Sequence, residues 1–236
     1  MLRLKAPLLG IIAVALLATT LAVPAAAQVT ETGRVVFVNG IPGTRIDICV
    51  NGREIRSGLP YGRQKAKRLF AAQKLITIFK KDPRRCRGRL LARKRFDLLP
   101  DAELTVVATR GRPDRIRIFS STDLVAGPSA AFRYAGDMGP VSLKFDMWLK
   151  VIGDEPLVPV NPVANGVAWA KGSYSSAPFP ENAVVRVKAR RYGRTRVIAV
   201  SPKVEYDFGR CVEWILVGTR GTNARFVLVY RNVHFV

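Results

Sequence analysis

The sequence predicts an all-β protein made of two β-sandwiches in tandem, and three observations carry that prediction. Short runs rich in β-branched and aromatic residues recur along the chain: RIDICV, KLITIF, ELTVVAT, RIRIF, VVRVKA, TRVIAV, VEWILVG and ARFVLVY. Each alternates, or nearly so, as half-buried strands do. Turn signals separate them at Pro42-Gly43, Asn51-Gly52, Asp82-Pro83, Pro100-Asp101, Gly111, Gly193 and Gly221, and no window offers an amphipathic helix of three turns, QKAKRLFAAQK coming nearest. The third observation is an internal repeat.

Residues 1–27, MLRLKAPLLGIIAVALLATTLAVPAAA, stand apart from this pattern. Arg3 and Lys5 form a basic n-region, Leu8–Leu21 an apolar run, and Ala25-Ala26-Ala27 a small-residue signature before Gln28. That layout is a signal peptide cleaved between Ala27 and Gln28, with the helix breaker Pro24 where a peptidase acts. The run is also long enough to cross a bilayer, so a retained anchor is the rival reading. The expected destination is bacterial: secreted, periplasmic or cell-surface, with no transmembrane segment after cleavage. Taking 27 residues from 236 leaves 209, and taking two basic residues but no acidic one lowers the net charge from +22 to +20. That length suits one large or two ordinary domains. The charge bears on partners and solubility rather than on fold.

The repeat supplies the number of sandwiches. Phe96–Phe119 lies without a gap over Tyr206–Val229, 110 residues on. Identities fall at Asp97/Asp207, Glu103/Glu213, Val107/Val217, Thr109/Thr219, Arg110/Arg220, Gly111/Gly221 and Arg115/Arg225. Seven matches in 24 positions exceed the roughly one or two that chance supplies. Each copy reads strand, tight turn, strand, with Gly111 and Gly221 expected to supply positive φ. The copies' beginnings also correspond: VVFVNGIPG from Val35 over AFRYAGDMG from Ala131, with Gly40/Gly136 and Gly43/Gly139 in step at an offset of 96. The second copy then carries 14 extra residues, the difference between 110 and 96, expected within Gly153–Asn182. The expected organisation is a first domain at 28–120, a linker at 121–130 and a diverged second domain at 131–236, joined end to end.

Three cysteines leave one over in an oxidising compartment. Cys49 and Cys86 both fall in the first copy and are expected to pair. Such a closure stabilises by about 4 kcal/mol in the chain-entropy account. Cys211 is then a thiol within a strand or half of an intermolecular bridge; three buried thiols is the alternative.

Within the first copy, FVNGIPGTRIDICVNGREIRSGLPYG resembles the opening of the secreted bacterial family known as domain of unknown function 4397. The resemblance rests on Pro42 and Gly43 in the first turn, Asp47 and Val50 in the next strand, Asn51 and Gly52 in its hairpin, and Tyr61 and Gly62 before the strand that follows. It implies an immunoglobulin-like sandwich, often in tandem, with no assigned activity. It covers about 35–119 and is faint over 131–236, where KFDMWLKVIGDEP replaces the Asp–Asn–Gly signature. After Gly62 the chain has RQKAKR where the family tends to place a Ser and an aromatic. The motif residues themselves read as structure. Asn51-Gly52 is a hairpin signal tolerant of positive φ, and Asp47 faces away from Ile46 and Ile48.

Catalytic chemistry is thin. The one histidine, His234, sits three residues from the end, which works against Ser-His-Asp and Cys-His catalysis. Three scattered cysteines make no metal spacing, and neither a phosphate-binding nor a nucleophile-elbow motif occurs. No cofactor, metal or catalytic residue is therefore expected. Asp97, Glu103, Asp207 and Glu213 could form acid/base pairs. Their recurrence in separate copies argues instead for a shared structural role beside Arg110 and Arg220.

The basic stretch is the most distinctive feature. Between Asn51 and Phe96 there are 16 Lys/Arg and 2 acidic residues. Arg63, Lys65, Lys67 and Arg68 form its first cluster. Lys80, Lys81, Arg84, Arg85, Arg87 and Arg89 form its densest part, expected as a loop between LITIF and LLARKRF. Such a surface attracts polyanions by counterion release and steering. The candidate partners are an anionic envelope polymer, an acidic glycan or an anionic membrane surface. Nucleic acid is less favoured because stacking aromatics are sparse, at Tyr61, Phe70 and Phe79. A second candidate is Trp169, Tyr174 and Phe179, in a stretch read as a long loop that could form a platform for glycan or protein. The leading functional expectation is non-enzymatic binding. A structural envelope module and a carbohydrate-active enzyme are the alternatives.

Overall fold

Each of the eight β-branched runs falls in a strand, nine further strands join them, and the described residues hold no helix. The computed structural model describes residues 31–111, 113–120, 130–135, 144–152, 164–168, 172–175, 184–191, 196–205, 210–218 and 223–232. The predicted signal peptide and its cleavage point, Ala27-Gln28, lie outside these, as does most of the predicted linker. In the first copy the strands are β1 (Thr32–Gly40), β2 (Ile46–Val50), β3 (Arg53–Leu59), β4 (Gln64–Phe70), β5 (Ala72–Lys80), β6 (Leu90–Leu98), β7 (Glu103–Thr109) and β8 (Arg115–Ser120). In the second they are β9 (Ala130–Tyr134), β10 (Lys144–Ile152), β11 (Ala164–Ala168), β12 (Gly172–Ser175), β13 (Val184–Arg191), β14 (Val197–Val200), β15 (Val204–Glu205), β16 (Arg210–Val217) and β17 (Arg225–Asn232).

Four sheets result, in two matching pairs. The orders β3-β2-β5-β6 and β4-β1-β7-β8 of the first copy recur as β11-β10-β13-β14 and β12-β9-β16-β17, with the short β15 added beside β13. The architecture is immunoglobulin-like, and its pairing is antiparallel with one exception in each copy. In each copy the first strand runs parallel to the seventh of its eight counterparts, β1 beside β7 and β9 beside β16. A parallel neighbour needs a long crossover, and the intervening strands provide it.

The first sandwich closes over Val35, Phe37, Ile46, Ile48, Ile76, Ile78 and Val106, all at most 1% exposed. Burying each such side chain stabilises by about 1.5–3 kcal/mol. A second buried layer joins the copies. Val36, Val38, Val107 and Phe119 of the first lie against Ala135, Ile215, Val217, Val227 and Val229 of the second. The sandwiches are thus stacked face to face rather than joined end to end, within one compact unit, Glu31–Val236. Strands β1 and β7 are buried on both faces, which is why VVFV and LTVV read as continuous apolar runs.

Strand parity corrects the expected alignment of the copies' beginnings. Arg34 pairs with Glu103 across the first parallel ladder and Ala131 pairs with Glu213 across the second. Glu103 and Glu213 are 110 apart, so Arg34 and Ala131 correspond and the true offset is 97. The offset of 96 matched glycines but placed the inner-core Val35 on Ala131, which lies on the face of Arg133. A one-residue slip turns every side chain to the other face. The excess length of the second copy up to β16 is accordingly 13 residues, 110 less 97.

The repeated hairpin also differs in register. Val107 stands opposite Arg117, whereas its counterpart Val217 stands opposite Arg225. Arg225 therefore matches Arg117, not Arg115. The two-residue shift is even, so the faces are preserved. Gly111 is not among the positive-φ residues; its N–H donates to Asp114 Oδ1 at 3.1 Å, and a Cβ there would meet Pro113 O at 2.7 Å. Close approach, not handedness, excludes a side chain at that position. Gly221 lies outside the described residues.

Candidate anion-binding site

The site begins at β2, whose residues alternate between the core and the outer face of sheet β3-β2-β5-β6. Ile46, Ile48 and Val50 face inward, leaving Asp47 and Cys49 outward. Neither is exposed, because the loop between β5 and β6 folds back across that face. Cys49 and Cys86 form a disulfide, and Cys211 lies buried outside it. Asp47, 0% exposed, organises the loop's base. Its Oδ1 accepts from Ser57 Oγ at 2.9 Å and Gly58 N at 2.8 Å, and its Oδ2 accepts from Asp82 N at 3.2 Å. Asn51 and Gly52 take φ of 49° and 77°, as the hairpin signal predicts.

Within the loop, Lys81 N donates to Arg45 O, and Arg85, at φ 58°, turns the chain so that its carbonyl accepts from Gly88 N at 3.1 Å. Two of its arginines meet acids. Arg84 Nε lies 3.1 Å from Asp82 Oδ1, and Arg85 Nε 3.4 Å from Glu54 Oε2. The hydrogen bonds from the Arg84 side chain and backbone hold the Asp82 carboxyl below the usual carboxylate range, and Asp82 in turn raises Arg84. Both pairs are exposed and contribute little stability. Arg45, Lys80, Lys81, Arg87, Arg89, Arg93 and Arg95 make no ion pair among the described residues.

Arg93 and Arg95 were not among the candidates but belong to this face. They stand opposite Thr77 and Leu75, and Thr77 stands opposite Cys49, so all share the outer side of the sheet. Two residues apart on one strand, they are about 6.8 Å from each other. The sequence signal was present in LLARKRF, whose alternation about Ala92 marks which arginines point outward.

The first basic cluster is located elsewhere. Lys65, Lys67 and Arg68 lie on β4, the edge of its sheet, and Arg63 precedes it; all four are exposed. Charged residues on an edge strand block strand addition by another chain. The ten predicted cations therefore divide into an edge strand and a loop on the other sheet.

The repeated glutamates do hold arginines, Arg34 and Arg133 among the described residues. Glu103 lies 3.4 Å from Arg34, both about a third exposed. Glu213, fully buried in the layer between the copies, accepts from Arg133 Nε at 3.0 Å and from Thr105 Oγ1 at 2.7 Å. Arg133 Nη2 also donates to Ser120 O at 3.2 Å, and the guanidinium lies 5.1 Å from the Phe119 ring centre. Arg110 lies 3.9 Å from Asp114; Arg220 and Asp207 are outside the described residues. Asp97 is exposed opposite Gln73.

The aromatic candidate changes character. Its stretch contains strands β11 and β12 rather than one long loop, and Tyr174 lies in β12 opposite Ala131. Trp169 and Phe179 lie outside the described residues. Asn39, not singled out from the sequence, is buried and ties the site's end of the sandwich. Its Nδ2 donates to Thr44 O and Leu59 O, both at 2.8 Å, and its Oδ1 accepts from Ile41 N at 2.9 Å. Tyr61 joins the copies at the same end. Its hydroxyl donates to Asn223 O, and Arg225 lies 4.5 Å over its ring.

No family model and no curated protein matches the chain. Among solved structures it is similar to a carbohydrate-binding module of family CBM26 from Eubacterium rectale Amy13K, determined in complex with maltoheptaose. The identity is 8%, covering 86% of this chain and 98% of that one, at a TM-score of 0.23. It is also similar to a protein of Parabacteroides distasonis described as a cell adhesion candidate, at 9% identity, covering 86% and 100%, with a TM-score of 0.22. Likenesses this distant carry no argument about ligand or activity.

Proposed function

We propose that this is a non-enzymatic protein of the bacterial exterior or cell envelope that binds an anionic polymer through the outer face of its first sandwich. The observation that carries the reading is the set of cations on and beside the bridged loop that make no ion pair among the described residues, above all Arg87, Arg89, Arg93 and Arg95. Clustered cations raise the local potential and release counterions when a polyanion binds. The disulfide supports an oxidising compartment, in keeping with the signal-like N-terminus. Membership of the first copy in the family of domain of unknown function 4397 belongs to the same proposal. The turn at Pro42-Gly43, the buried hydrogen bonds of Asp47 on the outer side of β2 and the Asn51-Gly52 hairpin suit that pattern.

A structural envelope module without a ligand is the second reading, and the edge position of Lys65, Lys67 and Arg68 favours it, since those charges have a protective role on the edge strand. Presenting the protein to polygalacturonate, heparin, wall polymer, anionic vesicles and DNA at low and moderate salt separates the two. The binding account expects association with an anionic polymer that weakens steeply with salt. Absence of binding to every one of them at low salt leaves the structural reading.

A further inference from the structure

We propose that the Cys49–Cys86 bridge is the switch of this site: polyanion binding requires the bridge closed, and a bound polyanion protects the bridge from reduction. The inference rests on the binding reading above and adds its regulation. Lys80–Arg89 holds six Lys/Arg and one Asp, so like-charge repulsion opposes gathering this segment over the sheet. Beyond Asp82, the disulfide and the exposed Arg85–Glu54 pair attach it to the sheet face among the described residues. The backbone bonds of Lys81 and Asp82 secure only the loop's entry, and Lys80 N to Arg89 O only its exit. The covalent bond therefore ties Cys86, and with it the neighbouring Arg87, to Cys49 against the repulsion, in the register row that runs through Thr77 to Arg93.

Opening the bridge lets the loop's cations disperse, which lowers the local density of positive charge offered to an anion. In the reaction, a dithiol reductant supplies two electrons and two protons. The Sγ–Sγ bond breaks, Cys49 and Cys86 become thiols, and the reductant leaves as its own disulfide. The coupling is reciprocal: if reduction weakens polyanion binding by a factor, the polyanion shifts the thiol–disulfide equilibrium by the same factor.

The test uses heparin as the probe and the intact protein, oxidised or treated with dithiothreitol, with near-ultraviolet circular dichroism reporting the fold. Heparin is expected to bind the oxidised form and to bind the reduced form at least about tenfold more weakly. A tenfold coupling moves the midpoint potential of the bridge about 30 mV more negative when heparin is saturating. Cys86→Ser is expected to behave as the reduced form. Should reduction or the variant unfold the protein, the potential shift on the native chain still decides. Equal affinity of both folded forms, or a heparin-independent potential, overturns the switch and leaves the binding function standing. Binding of anionic vesicles or DNA but not heparin overturns the polymer assignment, and no binding by the oxidised form overturns both.

Discussion

Replacing Glu213 with alanine tests whether the buried polar pair holds the two sandwiches in register. In the layer between the copies the carboxylate accepts from the Arg133 guanidinium at 3.0 Å and from the Thr105 hydroxyl at 2.7 Å. The Arg133 and Glu213 side chains are 4% and 1% exposed, so water cannot take over from the missing carboxylate. Removing one member of a buried pair costs about 3–5 kcal/mol. For a unit of this size each kcal/mol moves the melting temperature by about 2–4 °C, so a loss near 10 °C is expected. The repeat supplies an internal control. Glu103 occupies the matching position but pairs with a partly exposed Arg34, and Glu103→Ala should cost about 1 kcal/mol or less. Replacing Arg133 and Glu213 together by leucine should recover most of the loss, because well-packed apolar groups often substitute for a buried pair. Chemical denaturation of the four variants, with unchanged m-values, is the assay. A Glu213→Ala loss no larger than that of Glu103→Ala would refute the reasoning.

Two further predictions concern the same junction. A Cβ on Gly40 would meet Ala108 O at 2.7 Å and the Val217 side chain at 3.1 Å, so Gly40→Ala should cost about 1–3 kcal/mol by forcing the copies apart; denaturation indistinguishable from the parent contradicts this. Burial raises the Tyr61 phenol above its ordinary value, with the neighbouring Arg225 guanidinium opposing the shift. A raised folded value makes the contribution complete below the unfolded value near 10 and lost as pH rises through the folded one, so stability relative to Tyr61→Phe should decline across that alkaline window, and a pH-independent difference would count against it.

The parts of the fold that followed local rules were legible in the sequence. Asn51-Gly52 announced its hairpin, the β-branched runs their strands, and Cys49 with Cys86 their bridge. What failed was register. Gly40 and Gly43 lined up with Gly136 and Gly139 by identity, yet parity demanded one residue more, and composition carries no record of which face a side chain takes. The stacking of equivalent faces was visible only indirectly, in apolar runs at β1 and β7 too continuous for a sheet with one wet side. For the candidate site, charge density marked the loop but could not separate it from the edge strand β4. That division depends on which strand lies outermost in which sheet, a long-range property.

The central claim is that cations on and beside the bridged loop, not basic charge at large, bind the polymer. Reversing Arg87, Arg89, Arg93 and Arg95 together, beside a matched reversal of Arg63, Lys65, Lys67 and Arg68, holds the change in net charge equal. Heparin affinity at fixed salt is the measurement. The account predicts loss of at least about tenfold in the first variant, a much smaller change in the second, and a shallower salt dependence only in the first. Equal losses in the two variants, or none in the first, would contradict it.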